Sequence, residues 1–595
     1  MLGDLAGHRR EVVRVDGPGV HHAPGQGDAP EVDTEGASMN NARPEPIAPA
    51  PKARRGSLRP IAMWTSEYRD DTWRDLGAEP WDLLVIGGGI TGAGIAAEAA
   101  RYGKRVLLVE GQDFASGTSS RSTKLVHGGL RYLRQGQFLV TRKSVRERER
   151  LMTEAPGLVD RLGFSLAAYP GDQMPQWMYG VGLAMYDALA GKWAHRGQTT
   201  DAIVERIPSL RGSAVLGGYH YFDAQTDDAR LVLRVLREAA RRGATAINYV
   251  RADKLLRTRD GRVRGAVLRD TAPGASREVE VEAKVVISAT GAWADELRAE
   301  LGHAGRLRRI RGSHLTFSAD RLPLPEAVSL LHPRDQRAVF AIPWEGVTIV
   351  GTTDVDHGAL DAEPAISDDE TAYLLEVLAK AFPSLALGPQ DVISTWSGVR
   401  PVIDTGKADP SKESREHAIW REEGLLTITG GKLTTFAVMA REALAAAEPQ
   451  LGGLGPRGRI FDEAPGEVAW PDALDTAARV RLLGRHGSEV GDVLGDGAQA
   501  RPIAGSVALW SELRYAAAAE GVVTLSDLLL RRVRLGLLLP RGGLDHIGAV
   551  RAVAQPALGW DDARWAREEA AYRATWTAAY AGPEGLPGLP GAVMP

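Results

Sequence analysis

The stretch KLVHGGLRYL, Lys124 to Leu133, gathers Lys124, His127, Arg131 and Tyr132 around Gly128 and Gly129. Lysine and arginine can hold an anion, a histidine with a pKa near 6.5 can take a proton at neutral pH, and paired glycines let backbone pass close to a bound molecule. A second group lies upstream, where Gly87, Gly89 and Gly92 spell G-x-G-x-x-G. The first glycine permits a tight turn, the second lets backbone approach a pyrophosphate, and the third allows close helix–strand packing. Glu110, about 20 residues on, can accept both hydroxyl hydrogens of a ribose. NAD and FAD both fit these residues, and the acid at Glu110 argues against the 2′-phosphate of NADP.

The elements needed to position these groups are legible around them. WDLLVI reads as a short buried strand, ITGAGIAAEAARYG as a helix and KRVLLVE as a second strand, a strand–turn–helix–strand unit. DDARLVLRVLREAARRG has apolar residues at helical spacing, VEVEAKVVIS returns to a buried strand, and AVFAIPWEGVTIVGTTD predicts a hairpin turning at Glu345–Gly346. Beyond about residue 450 the pattern is mostly helical, and TLSDLLLRRVRLG carries Thr524 and Asp527 as a capping pair. Arg531 and Arg534 there suit an ordinary packed helix better than a membrane foot.

Composition limits the partners. The 595 residues carry a net charge of −4, which offers no basic footprint for nucleic acid. There is no cysteine, so disulfides, thiolate metal sites and a Cys nucleophile are excluded. No apolar run of about 20 residues could span a bilayer. A cytoplasmic protein, at most peripheral on the inner face of the cell membrane, is the expectation. Residues 1–75, rich in Gly, Pro and Ala, are expected to be disordered, and Met39 and Met63 leave the natural start open.

The run from DLLVIGGG through KLVHGGLRYL resembles the FAD-dependent glycerol-3-phosphate dehydrogenases of the D-amino-acid-oxidase-like flavoprotein superfamily. YFDAQTDDARLVL, VISATGAWADEL, IRGSHL, FAIPWEGVTIVGTTDVD, STWSGVRPVID, SREHAI and TGGKLTT follow in that family's order, from Trp81 to about Ala581. The resemblance implies an α/β fold. A Rossmann-like FAD-binding domain (76–135, 225–300, 396–448) interleaves with an antiparallel-sheet substrate domain (136–224, 301–395), and an all-helical C-terminal domain (455–581) and a loose tail (582–595) follow. It also implies FAD, oxidation of glycerol 3-phosphate to dihydroxyacetone phosphate, and a membrane quinone as electron acceptor. A homodimer is left open.

Residue by residue, the resemblance implies that Arg131, Tyr132, Arg400, Arg415 and Lys432 hold substrate, with Thr352 and Thr353 adding hydroxyls. The base is sought among His314, His127 and another residue or water, and Arg400 belongs to the catalytic set. FAD would meet Gly87, Gly89, Ile90, Thr91, Gly92, Glu110, Thr118, Ser119, Ser120, Lys124, Leu125, His127, Gly128 and Gly129. It would also meet Ala289, Thr290, Gly291, Gly431, Lys432, Leu433 and Thr434, where Lys432 and a helix starting near Thr434 would favour negative charge on the reduced ring. Three rival readings stand beside this one: a glycerol-3-phosphate oxidase using oxygen, a sarcosine-type amine oxidase on the same fold, and a flavin-binding regulator without turnover.

Overall fold

The computed structural model describes residues 64–130, 133, 136–360, 363–409, 413, 416–461 and 466–582. Among them, the strands Trp81–Ile86, Val106–Val109, Thr245–Ile247, Glu278–Ser288 and Leu425–Gly430 form the parallel centre of one sheet, with Trp81–Ile86 between Glu278–Ser288 and Val106–Val109. Their inner residues are almost wholly apolar, as a sheet covered on both faces requires. The helix Ile90–Arg101 fits tightly because it is mostly Ala and Gly, and it packs against Asp228–Arg241 and Phe436–Leu451.

A second sheet carries the other wall of the site. Its order runs from Leu307–Ser318 through Val347–Gly351, Ala338–Trp344 and Ala327–Leu331 to Val159–Ala168 and Gly217–Thr226. It is antiparallel except where Ala327–Leu331 runs parallel to Val159–Ala168. The hairpin turns at Glu345–Gly346, both with positive φ (53° and 87°), which matches the right-handed twist of its strands.

Three expectations need correction. Residues 64–75 are not disordered: Thr65 caps the helix Ser66–Asp75, Trp73 is buried, and Arg69 pairs with Asp270. Residues 1–63 lie outside the described residues, as do 583–595 of the tail. The domain boundary at 396 cuts the strand Val392–Ile403, which pairs with Leu307–Ser318 along its length and so belongs to the second sheet. Leu125–Val126, placed with the first domain, also pairs into the second sheet, against Gly217–Thr226.

The C-terminal part is helical, including Thr476–His486, Trp510–Ala519, Ile547–Leu558 and Asp562–Ala579. Thr524 and Asp527 form the capping box expected of them. Arg531, Arg532 and Arg534 are all buried, so they form no membrane foot. Arg532 meets Asp113 through two hydrogen bonds of 2.7 and 2.8 Å, Arg531 meets Asp113 and Asp527, and Arg534 meets Asp227 and Asp228. These pairs fasten the helical part to the loop after Val106–Val109 and to the start of Asp228–Arg241.

Candidate functional site

The glycine turn sits between the strand Trp81–Ile86 and the helix Ile90–Arg101. Gly87 has φ +114°, and a Cβ there would lie 2.5 Å from the Ala289 carbonyl oxygen. A Cβ on Gly92 would lie 1.9 Å from the Gly87 oxygen, so the third glycine is required for packing. Gly89 caps the helix without a side chain, and the Ile90 amide donates to Ser119 Oγ at 3.0 Å. The turn opens on a cavity of 1110 Å³. Ile90, Thr91, Thr118, Ser119, Leu125, Ala289, Thr290 and Gly291 also line it.

Glu110 lines the cavity too, and each of its carboxylate oxygens accepts one backbone N–H, from Gly88 (2.7 Å) and Gln112 (2.9 Å). Burial pushes its carboxyl above the ordinary range, although both amides pull it back. Each oxygen keeps a further lone pair for a ribose hydroxyl.

His127, Gly129, Gly431, Lys432, Leu433 and Thr434 line the same cavity. Thr434 Oγ1 accepts the His127 amide and donates to the His127 carbonyl, both at 3.1 Å, latching the two segments together. Lys432 donates to Ser144 at 3.2 Å. A short helical turn, Leu433–Thr435, runs directly into the helix Phe436–Leu451, in line with the start expected near Thr434.

Several candidate residues prove to stand behind the wall. Lys124 is fully buried, donating to both Asp228 oxygens (2.9 Å) and to the Ser120 carbonyl (2.7 Å); burial pulls its ammonium down to about 8 despite Asp228. Neither Lys124 nor Ser120 reaches the cavity. Gly128 faces inward, where its amide donates to the Tyr186 hydroxyl (2.9 Å) and Asp223 (3.1 Å), and a Cβ would lie 2.2 Å from that hydroxyl. Thr353 is buried, accepting the Ser313 amide and donating to Glu370 at 2.6 Å, so its hydroxyl is spent on the fold.

His314 needs the largest correction. It is fully buried and stacked on Trp396, and it reaches the cavity only through Thr123, whose hydroxyl is 2.9 Å from Nε2. Burial, then Arg400 and Lys124, push its pKa well below the usual 6.5, so it is neutral at pH 7. Between that low value and 6.5 the unfolded chain holds a proton the folded chain lacks, so stability falls as pH drops through this window. His314→Gln is expected to flatten that acid limb by up to about 1.4 kcal/mol per pH unit. Denaturant melts below pH 6.5 check this, and an unaltered slope would contradict it.

Arg400 and Thr352 do line the cavity. Arg400 donates to Thr352 Oγ1 (2.8 Å) and to the Thr353 carbonyl (3.2 Å), and pairs with Asp354. Arg131, Tyr132 and Arg415 lie outside the described residues. The structure adds wall residues that sequence reasoning missed: Thr123, Asp223, Arg337, Asp354 and the aromatic group Phe164, Tyr221 and Phe340. Only Asp354 had a usable signal, since it directly follows Thr352 and Thr353 in GTTD.

A cavity of 1110 Å³ lined by a glycine turn at an open helix end, an acid for a ribose and a lysine fits FAD. Comparison with known proteins agrees. The family described as FAD dependent oxidoreductase matches residues 82–446. The chain belongs to this FAD-dependent oxidoreductase family. Within the family, the C-terminal domain of alpha-glycerophosphate oxidase matches residues 428–565 of this flavoprotein. Glycerol-3-phosphate dehydrogenase 2 of Mycobacterium tuberculosis is 37% identical over 541 residues, 87% of this chain and 91% of the relative. Aerobic glycerol-3-phosphate dehydrogenase of Staphylococcus aureus is 34% identical, covering 83% and 94%. Among solved structures, glycerol-3-phosphate dehydrogenase from Bacillus halodurans complexed with FAD matches with TM-score 0.70 and 29% identity, over 87% of this chain and 98% of that one.

Proposed function

We propose that this flavoenzyme oxidises sn-glycerol 3-phosphate to dihydroxyacetone phosphate and passes the electrons to a membrane quinone. The observation that carries the reading is that Arg400 and Lys432 both line the cavity. There Arg400, fixed by Thr352 and the Thr353 carbonyl, faces the same space as Lys432 and His127. A planar guanidinium suits a phosphate, whereas a sarcosine-type substrate needs a single carboxylate clamp.

Bound in this cavity, FAD supplies the acceptor for the hydride that leaves C2 of the substrate. The protein contributes orientation and a proton acceptor. His127 takes the C2 hydroxyl proton, since it lies on the wall where His314 does not. Lys432 and the first turn of Phe436–Leu451 would favour the negative charge that the flavin ring gains on reduction. The second sheet covers the reacting end with Phe164, Tyr221 and Phe340 and keeps water away from it.

Anaerobic addition of glycerol 3-phosphate to the flavin-loaded protein is expected to bleach the flavin absorbance within seconds, whereas sarcosine leaves it unchanged. An unbleached flavin would defeat this reading and favour a binding protein without turnover. Rapid peroxide formation on reoxidation, with no quinone reduction, would make the enzyme an oxidase.

Peripheral membrane contact belongs to the same proposal. No described helix is long and apolar enough to cross a membrane. The helix Gln176–Ala190 buries Tyr179, Leu183 and Tyr186 but exposes Trp177 (65%), Met178, Val181 and Met185, with Trp193 (73% exposed) just beyond it. Exposed Arg142, Arg146 and Arg196 stand on neighbouring elements, a combination suited to acidic lipid headgroups. Changing Trp177 and Trp193 together to Ser is expected to cut pelleting with phosphatidylglycerol vesicles at least about tenfold while leaving the melting temperature intact. Unchanged pelleting would remove this surface from consideration.

A further inference from the structure

The strand Gly217–Thr226 sends Tyr221 and Asp223 to one face, because residues two apart in a strand point the same way, and both line the cavity. The Tyr221 ring is held from two sides. It stacks on Phe164 at 5.1 Å and meets Tyr186 edge-on at 6.4 Å, while Phe340 closes against Phe164 at 6.0 Å. The residue is only 4% exposed, yet its hydroxyl is neither sealed in the core nor hydrogen-bonded to any described residue. Burial, and after it Asp223, push that hydroxyl well above its usual pKa, so it stays protonated and can donate. An unanswered donor on a buried ring is costly, which makes this part of the wall a place for an acceptor from the cavity side.

The surroundings decide what kind of acceptor fits. Asp223 Oδ1 accepts from Arg148 Nη1 at 2.8 Å and from the Gly128 amide at 3.1 Å, and the Tyr186 hydroxyl lies 3.0 Å from both carboxylate oxygens. Arg148 is spent on Asp223, the Tyr186 hydroxyl and the Phe222 carbonyl, and it does not line the cavity. The strand thus presents a carboxylate and no cation to the cavity, which suits a neutral oxygen rather than a phosphate. In the function proposed above the phosphate of the substrate goes to Arg400 and the C2 oxygen gives its proton to His127, so the terminal C1 hydroxyl is the oxygen left to be held.

We propose that Tyr221 is a specificity-determining residue whose hydroxyl donates to the terminal hydroxyl of the substrate. This deepens the function proposed above and rests on it. A site built on such a bond turns away a compound that lacks the group, because the phenol is then left unpaired.

The test compares flavin-loaded wild type with Tyr221→Phe, which removes the hydroxyl and keeps the ring. Each is mixed anaerobically with glycerol 3-phosphate and with propane-1,2-diol 1-phosphate of the same C2 configuration, which lacks only the terminal hydroxyl. Flavin bleaching gives a second-order rate constant for every pair. Wild type is expected to prefer glycerol 3-phosphate by about 5- to 150-fold, the range for leaving a buried donor unpaired. Tyr221→Phe is expected to cut that preference at least about fivefold, mainly through a slower reaction with glycerol 3-phosphate. Its flavin affinity and its inhibition constant for inorganic phosphate stay within about twofold of wild type, since neither depends on the phenol.

An unchanged preference would overturn the proposal even if both rates fall together, because the hydroxyl would then act on another group. A clearly weaker hold on flavin or on phosphate would overturn it too, since the phenol would then answer one of those. If Tyr221→Phe does not load flavin, Tyr221→Met is judged by the same preference. A wild type that bleaches with neither compound would sink the proposed function, and this inference with it.

Discussion

Asp113→Ala is expected to destabilise the protein by about 3–5 kcal/mol, because it removes the carboxylate that two buried guanidiniums share and leaves only Asp527 and the Glu520 carbonyl to answer them. Arg532 meets this carboxylate bidentately, at 2.7 and 2.8 Å, Arg531 Nε lies 2.5 Å away, and Asn248 donates to it at 3.0 Å. Burial pushes the Asp113 carboxyl up, but Arg532 and Arg531 outweigh that and hold it below the ordinary range, so it is charged at neutral pH. Removing it leaves positive charge where no water can answer it. The damage should reach the cofactor, because Gly111 and Gln112 of the same loop line the cavity beside Glu110. Thermal melts and release of fluorescent flavin check both parts. A melting temperature within a degree of wild type would show that the arginines find other partners.

Arg400→Ala is expected to lower kcat/KM for glycerol 3-phosphate by about 30-fold to several thousandfold, a loss of about 2–5 kcal/mol. The side chain is held by Thr352, the Thr353 carbonyl and Asp354 before any substrate arrives, so little ordering remains to be done on binding. Its loss also leaves Asp354 with one arginine fewer, which adds repulsion toward an incoming phosphate. Steady-state kinetics on flavin-loaded enzyme provide the measurement, and near-normal kcat/KM would remove Arg400 from the site. Thr352→Val should show the same trend at about tenfold, the scale of one hydrogen bond to a charged group.

What the sequence made legible was local. Gly87 and Gly92 announce their turn because Gly92 is demanded by Gly87 five residues before it and Gly87 by the end of the adjoining strand. The Glu345–Gly346 turn and the Thr524–Asp527 cap are equally local. Side-chain direction was not legible. Lys124 lies in a motif that borders the cavity, yet its backbone has φ 62° and its ammonium turns to Asp228. His314 looks like a base in IRGSHL, but Trp396 and Thr123, both distant in sequence, decide that it is buried and neutral. Arg337 carries no local signal; the strand pairing that brings Asp354 beside it sets it on the cavity wall. The helix Ser66–Asp75 escaped notice because its order comes from Arg69 and Trp73 meeting residues nearly two hundred positions later.

The buried arginines of the C-terminal part also set a timetable. Arg531 is made 418 residues after Asp113, and Arg534 follows Asp228 by 306. At ribosomal speed the first carboxylate waits roughly 20 to 80 s for its partner. Until then the sheet around the glycine turn can form, but the loop bearing Asp113 carries an uncompensated charge and cannot bury it. Burial of the loop beside Glu110 is thereby expected to wait until the chain is nearly complete.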